Sequence, residues 1–233
     1  MRSIILRIFA LALVATMLFV AVGCSGISSD KDNATDGNGA DQNTNGADNS
    51  NAAEQQETLD YSGVVLSDYI KSIQYKELEV WIENENASKQ DAIWDAILAT
   101  VEIEFYPVEP VRYYFNQTKR LYMEAVKYNE DDYYRLLKSR GISENDMLDD
   151  ARAYVKEDLV FLYITQTEQI SVSDAEKQEL FDKYVDKYVS DYGYKRLYVI
   201  ANMTDLIYES MLYDKTTEFL ILNNTFKVGT PEN

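Results

Sequence analysis

Residues 129–193 decide the fold of this chain, and they read NEDDYYRLLKSRGISENDMLDDARAYVKEDLVFLYITQTEQISVSDAEKQELFDKYVDKYVSDYG. Three segments begin with a polar residue that stands three positions before an acidic residue, at Asn129, Ser143 and Ser173. Such a side chain accepts a hydrogen bond from a free amide at a helix start, and the acid can bond back. Gly141 and Gly193 suit the ends of the first and third segments, because glycine adopts the left-handed conformation at little cost. The stretch therefore predicts three consecutive helices.

The middle segment carries two apolar stripes. Residues with the spacing of one helical face are Leu148, Ala151, Val155, Leu159 and Leu162. A second stripe lies beside the first and repeats every seven residues, at Met147, Tyr154 and Phe161. A face this wide can contact two neighbours, or one neighbour and a transient partner.

Residues outside this stretch give further helix starts. Ser88 stands three positions before Asp91 and predicts another N-cap. Pro110 suits the first residue of a helix, because proline has no amide hydrogen to leave unbonded. Thr204 begins a last apolar segment that ends near Asn223.

The composition predicts an all-α fold, mainly helical and with elongated arms. The 233 residues include three prolines, and only four of the nine glycines lie after residue 60. Few residues therefore interrupt the helical periodicity. Leu78, Val80 and Ile82 alternate with other residues, which predicts a short strand or extended segment near 76–82. Residues 195–203 fit a strand or a poorly capped helix, and both interpretations stay open.

Residues 1–24 are predicted to form a lipoprotein signal peptide. Two early arginines precede a long apolar run, and small residues stand in front of Cys24. The tetrad at 21–24 resembles a bacterial lipobox, which implies lipid attachment to Cys24 and cleavage just before it. The alternative is an uncleaved N-terminal membrane helix, since the apolar run approaches spanning length.

Residues 25–58 are predicted to be a disordered tether. This segment has no aromatic residue, and Ile27 is its only large aliphatic one, so burial cannot offset the entropy of ordering. The helical domain is then predicted to span residues 59–226, with a short tail at 227–233.

The residue types present exclude several kinds of chemistry. There is no histidine, and Cys24 is the only cysteine, which removes the commonest zinc ligand, the histidine-activated nucleophiles and internal disulfides. No phosphate-binding or calcium-binding loop motif occurs. We therefore predict no enzyme activity, no cofactor and no metal site. The formal net charge of −18 also disfavours nucleic acid as a partner, because binding it requires basic groups.

The 19 tyrosines, all after residue 60, are the remaining unusual feature. Many lie at the edges of apolar stripes, where the ring offers contact area and the hydroxyl stays hydrated. Ordinary helix packing is one interpretation, and a shared adaptable groove for apolar partners is the other. The candidate binding residues are Trp81, Tyr113, Met123, Tyr133, Met147, Tyr154 and Phe161.

Three segments carry a resemblance to a known family. They are AIWDAILATVEIEFYPVEPVRYYFNQ at 92–117, DDARAYVKEDLVFLYITQTEQISVSDAEKQELFDKYVDKYVSDYG at 149–193, and ESMLYDKTTEFLILNNTF at 209–226. In this order they resemble the C-terminal, client-binding domain of bacterial trigger factor, a fold shared with the N-terminal region of SurA-type periplasmic chaperones. Residues 66–91 are similar to the linker that precedes the isomerase domain of trigger factor.

This resemblance, with the lipobox, implies a lipid-anchored chaperone-like protein on the outer face of the bacterial cytoplasmic membrane. Its expected partners are unfolded or newly exported polypeptides. The chain has no room for the ribosome-binding and prolyl isomerase domains of trigger factor, so neither ribosome binding nor isomerase activity is expected. The alternative is a surface lipoprotein that docks one specific folded partner without catalysis.

Overall fold

A computed structural model describes residue 59 and residues 61–230 of the chain. This part contains seven α-helices and four short strands. In chain order they are β1 (Ile70–Ser72), β2 (Glu79–Ile82), α1 (Lys89–Thr100), β3 (Glu102–Ile103), α2 (Val108–Ala125), α3 (Glu130–Arg140), α4 (Glu144–Thr167), α5 (Asp174–Tyr192), α6 (Arg196–Asn202), α7 (Thr204–Leu222) and β4 (Thr225–Val228). The prediction of a mainly helical fold is confirmed. The predicted signal peptide, Cys24 and the tether at 25–58 lie outside the described residues.

The three consecutive helices of residues 129–193 are present, with the predicted caps. The caps at Asn129, Ser143 and Ser173 each accept a hydrogen bond from the amide three residues later. Both serines form complete capping boxes, so Asp146 performs the role that glutamate has in the strict motif. Gly141 and Gly193 end α3 and α5 with φ angles of 66° and 70°. Local hydrogen bonding therefore sets the bounds of these helices.

Two of the other predicted helix starts are confirmed, and the third lies two residues earlier than predicted. Ser88 caps α1 as expected, and α7 begins at Thr204. The prediction that α2 begins at Pro110 is wrong, because Pro107 occupies the N-cap position and the helix starts at Val108. Pro110 then lies in the first turn, where the amides have no acceptor within the helix in any case. The segment at 195–203, left open between strand and helix, contains α6.

Helix α4 is the central helix of the fold, with 24 residues and a length of about 36 Å. Met147 packs near its start with residues of α2 and α3. Val155 packs at its middle against the first half of α2. Ile164 packs near its end with α1 and the last turns of α7. The wide apolar face predicted for this helix therefore serves several neighbours.

A fourth apolar cluster joins α5, α6 and the first half of α7. Val185, Val199 and Ile207 are its fully buried members, one from each helix. The same α7 continues to Leu220, which is buried against α1 and α4. The core is therefore divided into four clusters that follow α4 and α7.

Two small sheets complete the described part. Strands β1 and β3 are antiparallel, and β2 pairs with β4 in parallel from Glu79 and Thr225 to Ile82 and Val228. The extended segment predicted near 76–82 is thus confirmed as β2. The boundary between domain and tail at residue 227 is wrong, because β4 is paired through Val228. A paired strand is part of the folded domain.

Asn224 connects α7 to the second sheet. Its side-chain oxygen accepts a hydrogen bond of 2.7 Å from the Leu78 amide. Its side-chain nitrogen donates to the carbonyl oxygens of Tyr75 and Leu220 at 3.0 and 2.7 Å. These three contacts hold the end of α7 beside the start of β2, which places β4 for parallel pairing.

Candidate functional site

Several tyrosine hydroxyls bond to carboxylates inside the fold. The donors are Tyr61 and Tyr114 to Asp158, Tyr75 to Glu168, Tyr133 to Glu144 and Tyr184 to Asp214, at 2.6 to 3.0 Å. The pKa of Tyr75, Tyr133 and Tyr184 is raised well above the usual value. Burial is the larger cause, and the hydrogen bond to the carboxylate is the second. These hydroxyls are therefore neutral donors that hold separate elements together.

The structure does not bring the seven candidate binding residues into one groove. Met123, Tyr133 and Met147 belong to the cluster between α2, α3 and α4, where Tyr133 and Met147 are each only 1% exposed. Phe161 lies against the stacked rings of Trp94 and Tyr213 in another cluster. Tyr133 of α3 and Met147 of α4 are enclosed because α2, α3 and α4 meet around them, and Phe161 packs against the core.

The other three candidates are partly buried, as Met123 and Phe161 are. Tyr113 and Tyr154 flank the buried ring of Tyr114, with ring centroids at 5.4 and 5.3 Å. Trp81 lies on β2, and the ammonium group of Lys227 stands 5.5 Å from its ring centroid. Client binding through these residues stays a prediction.

An open, concave apolar groove lies between α2 and α4. Its volume is about 480 Å³, and we call it the α2–α4 groove. Its apolar lining consists of Tyr106, Val108, Val111, Phe115 and Leu148. Val108 stands at the rim with 73% of its surface exposed, since the cap at Pro107 starts the helix with this side chain in solvent.

Two arginines complete the lining of the α2–α4 groove, one from each helix. Arg112 of α2 forms an ion pair with Glu109, and Arg152 of α4 bonds to Asp149 at 2.7 Å. These four side chains are largely exposed, and exposed pairs of this kind contribute little to stability. Among the described side chains that line the groove, two are basic and none is acidic.

The α2–α4 groove was not predicted from the sequence, although its residues carry a signal. Val108, Val111 and Phe115 have the spacing of one helical face, and Leu148 and Arg152 are four residues apart on another. The two faces are separated by more than a complete helix in the chain, so only the packing of α2 on α4 brings them together.

A second exposed apolar surface lies on α6. Leu197 and Tyr198 are 80% and 52% exposed, and Ile200 is also at the surface, while Val199 between them is buried. We call Leu197, Tyr198 and Ile200 the α6 patch. Tyr198 stacks on Tyr194 with ring centroids 5.8 Å apart, which continues a row of rings from α5.

Within residues 59–230 as described, no three histidine, cysteine or acidic side chains are placed to hold a metal ion. The helices of this part are also too short or too polar to cross a membrane. No family model, curated protein or solved structure matches the chain. The resemblance to the trigger factor C-terminal domain therefore stays a prediction.

Proposed function

We propose that this chain is a lipid-anchored extracytoplasmic protein that binds unfolded or newly exported polypeptides, as a chaperone does, without catalysing a reaction. The observation that supports this proposal most is the α2–α4 groove, an open apolar surface on an otherwise strongly acidic protein. Exposed apolar patches of this kind are typical of interaction sites.

Binding would occur through several weak contacts rather than one deep pocket. The α2–α4 groove and the α6 patch are separate exposed apolar surfaces, and an extended client would contact each of them. Each buried apolar side chain contributes about 1 kcal/mol, and several together give micromolar affinity when ordering costs stay small. Such contacts depend little on the client's sequence.

The N-terminal segments supply the location in this proposal. Lipid on Cys24 would attach the chain to the outer face of the cytoplasmic membrane, and residues 25–58 would act as a spacer. The acidic surface opposes self-association of the apolar patches and attracts clients with basic character.

The test is suppression of aggregation. The full chain in lipid nanodiscs is added to several unrelated, chemically denatured proteins as they are diluted from denaturant, and turbidity is followed. We expect slower aggregation in proportion to the amount of chain added, and a weaker effect for Val108→Ser. The matched control is Asn116→Ser, an exposed polar position on the same helix.

Two other experimental outcomes would each favour a different function. Binding of one folded protein, without any effect on unfolded ones, would indicate the surface lipoprotein that docks a specific partner. Acceleration of a proline-limited refolding reaction would indicate a prolyl isomerase, which the proposal does not expect.

A further inference from the structure

We infer that the α2–α4 groove selects polypeptide segments in which a large apolar side chain stands beside a carboxylate. This inference rests on the proposed function and names the class of client segment that binds at this site. It depends on the charges at the groove as well as on its shape.

The apolar half of the site is the floor of the groove. Val111 is buried, Phe115 and Leu148 are partly buried, and Val108 leaves the rim open to solvent. A volume of about 480 Å³ lies within the range of sites for small ligands. It therefore accepts a phenylalanine or leucine side chain.

The polar half of the site is the pair Arg112 and Arg152, which lie on the two helices that form the groove. A guanidinium group carries five N–H donors in a plane and can hold a carboxylate with two parallel hydrogen bonds. Their present partners, Glu109 and Asp149, are mostly exposed. A client carboxylate can therefore replace either acid at little cost, because the exposed pairs are weak.

The two charged side chains that line the groove are basic, although each is paired with an acid, whereas the whole protein is strongly acidic. The chain has 40 acidic and 22 basic residues, so its overall field repels an acidic polypeptide. A preference for a client carboxylate can then arise only from a local basic site. This contrast makes the sign of the effect a sharp test of the inference.

A polypeptide fits the site better than a fatty acid does. The exposed rim at Val108 shows that the groove is open to solvent, so it would leave much of an acyl chain hydrated. One side chain of a polypeptide fills the floor while its backbone stays in water. A lipid carboxylate is the competing occupant in the test below.

The experiment compares two permanently unfolded, dye-labelled polypeptides that contain repeated Phe-Asp or Phe-Asn pairs and are otherwise identical. Fluorescence anisotropy measures their binding to the full chain in nanodiscs of neutral lipid. We expect the Phe-Asp polypeptide to bind about two- to fivefold more tightly, because the exchanged contacts are exposed ion pairs that are individually weak. The double variant Arg112→Gln/Arg152→Gln should reduce this ratio to one or below.

A matched variant and a rim variant complete the design. Arg135→Gln removes an exposed arginine that is paired with Asp132 in the same way on α3, and it should keep the preference. Val108→Ser should weaken the binding of both polypeptides to the same extent. Circular dichroism of each variant verifies that the fold is retained.

The outcomes separate the inference from the proposed function. Equal or weaker binding of the Phe-Asp polypeptide, with both polypeptides sensitive to Val108→Ser, would overturn the inference and leave the proposed function standing. Failure of both polypeptides to bind would overturn both. Dodecanoate could displace the labelled Phe-Asp polypeptide at a lower concentration than the unlabelled Phe-Asp polypeptide needs. If this displacement is also lost in the arginine variant, the site would be assigned to a lipid carboxylate and the inference overturned.

Discussion

The hydroxyl of Tyr114 donates a hydrogen bond of 2.7 Å to Asp158, and this contact fixes α2 to α4 beside the α2–α4 groove. Tyr61, near the start of the described chain, donates to the same carboxylate oxygen at 2.7 Å. Asp158 is only 6% exposed, and among the described residues it is the only buried aspartate, glutamate, lysine or arginine. It therefore connects the start of the described chain to both helices that line the groove.

Replacement of Asp158 should destabilise the protein strongly. Asp158→Ala removes the acceptor of two tyrosine hydroxyls, and we expect the free energy of unfolding to fall by about 2–4 kcal/mol. Tyr61→Phe, which removes one donor, should cost about 1 kcal/mol. Urea denaturation measures both effects, with the exposed Asp95→Ala as the control. If Asp158→Ala left the free energy of unfolding unchanged, the contact would not be what holds the two helices together.

The cap of α5 should make stability depend on pH. Lys215, together with Ser173, lowers the pKa of Glu176 to about 2 from an ordinary value of 4.5. Since the pKa is lower in the folded state, the stabilisation is complete above pH 4.5 and disappears as the pH falls towards 2. Glu176→Gln should therefore melt at a lower temperature than the native chain at pH 7, and the difference should vanish in acid. Glu179→Gln, at an exposed position of the same helix, should show no such pattern.

Asn224 should contribute more to the stability of the fold than its neighbour Asn223 does. Asn224→Ala removes three hydrogen bonds between α7 and residues 75–78 or within α7, and we expect a loss of about 1–3 kcal/mol. Faster amide exchange at Leu78 should accompany this loss, because its amide donates to the Asn224 side chain. Asn223→Ala removes a contact within the helix only and serves as the control. Similar effects of the two changes would contradict a specific role for Asn224.

The α6 patch should contribute to client binding without contributing to stability. In Leu197→Ser/Tyr198→Ser we expect weaker suppression of aggregation and an unchanged melting temperature, since both side chains are exposed. Val199→Ala, on the buried side of α6, should lower stability by about 2 kcal/mol. Full activity of the double variant would remove the patch from the proposed binding surface.

Local signals in the sequence predicted most of the helices. Asn129, Ser143, Ser173 and Gly141 act within one turn of their own position, so their effect can be read without knowing the fold. Helix α6 could not be decided, because Leu197–Ile200 is rich in residues that favour strands and burial of Val199 against other helices determines the outcome.

Contacts between distant segments explain what the sequence did not predict. Strand β4 is short, and Asn224 places it beside residues 146 positions earlier. Tyr133 and Met147 have the pattern of a stripe edge, and only the meeting of α2, α3 and α4 encloses them. The α2–α4 groove likewise exists only where Phe115 and Leu148 meet. Tertiary packing therefore decides which apolar residues stay accessible.

The central claim is that this protein binds polypeptides because they are unfolded. The most direct test is fluorescence anisotropy with one labelled protein in two forms, its native state and a permanently unfolded state with blocked cysteines, each titrated with the full chain in nanodiscs. We predict micromolar binding of the unfolded form and no binding of the native form. Equal binding of both forms, or binding of neither, would contradict the account.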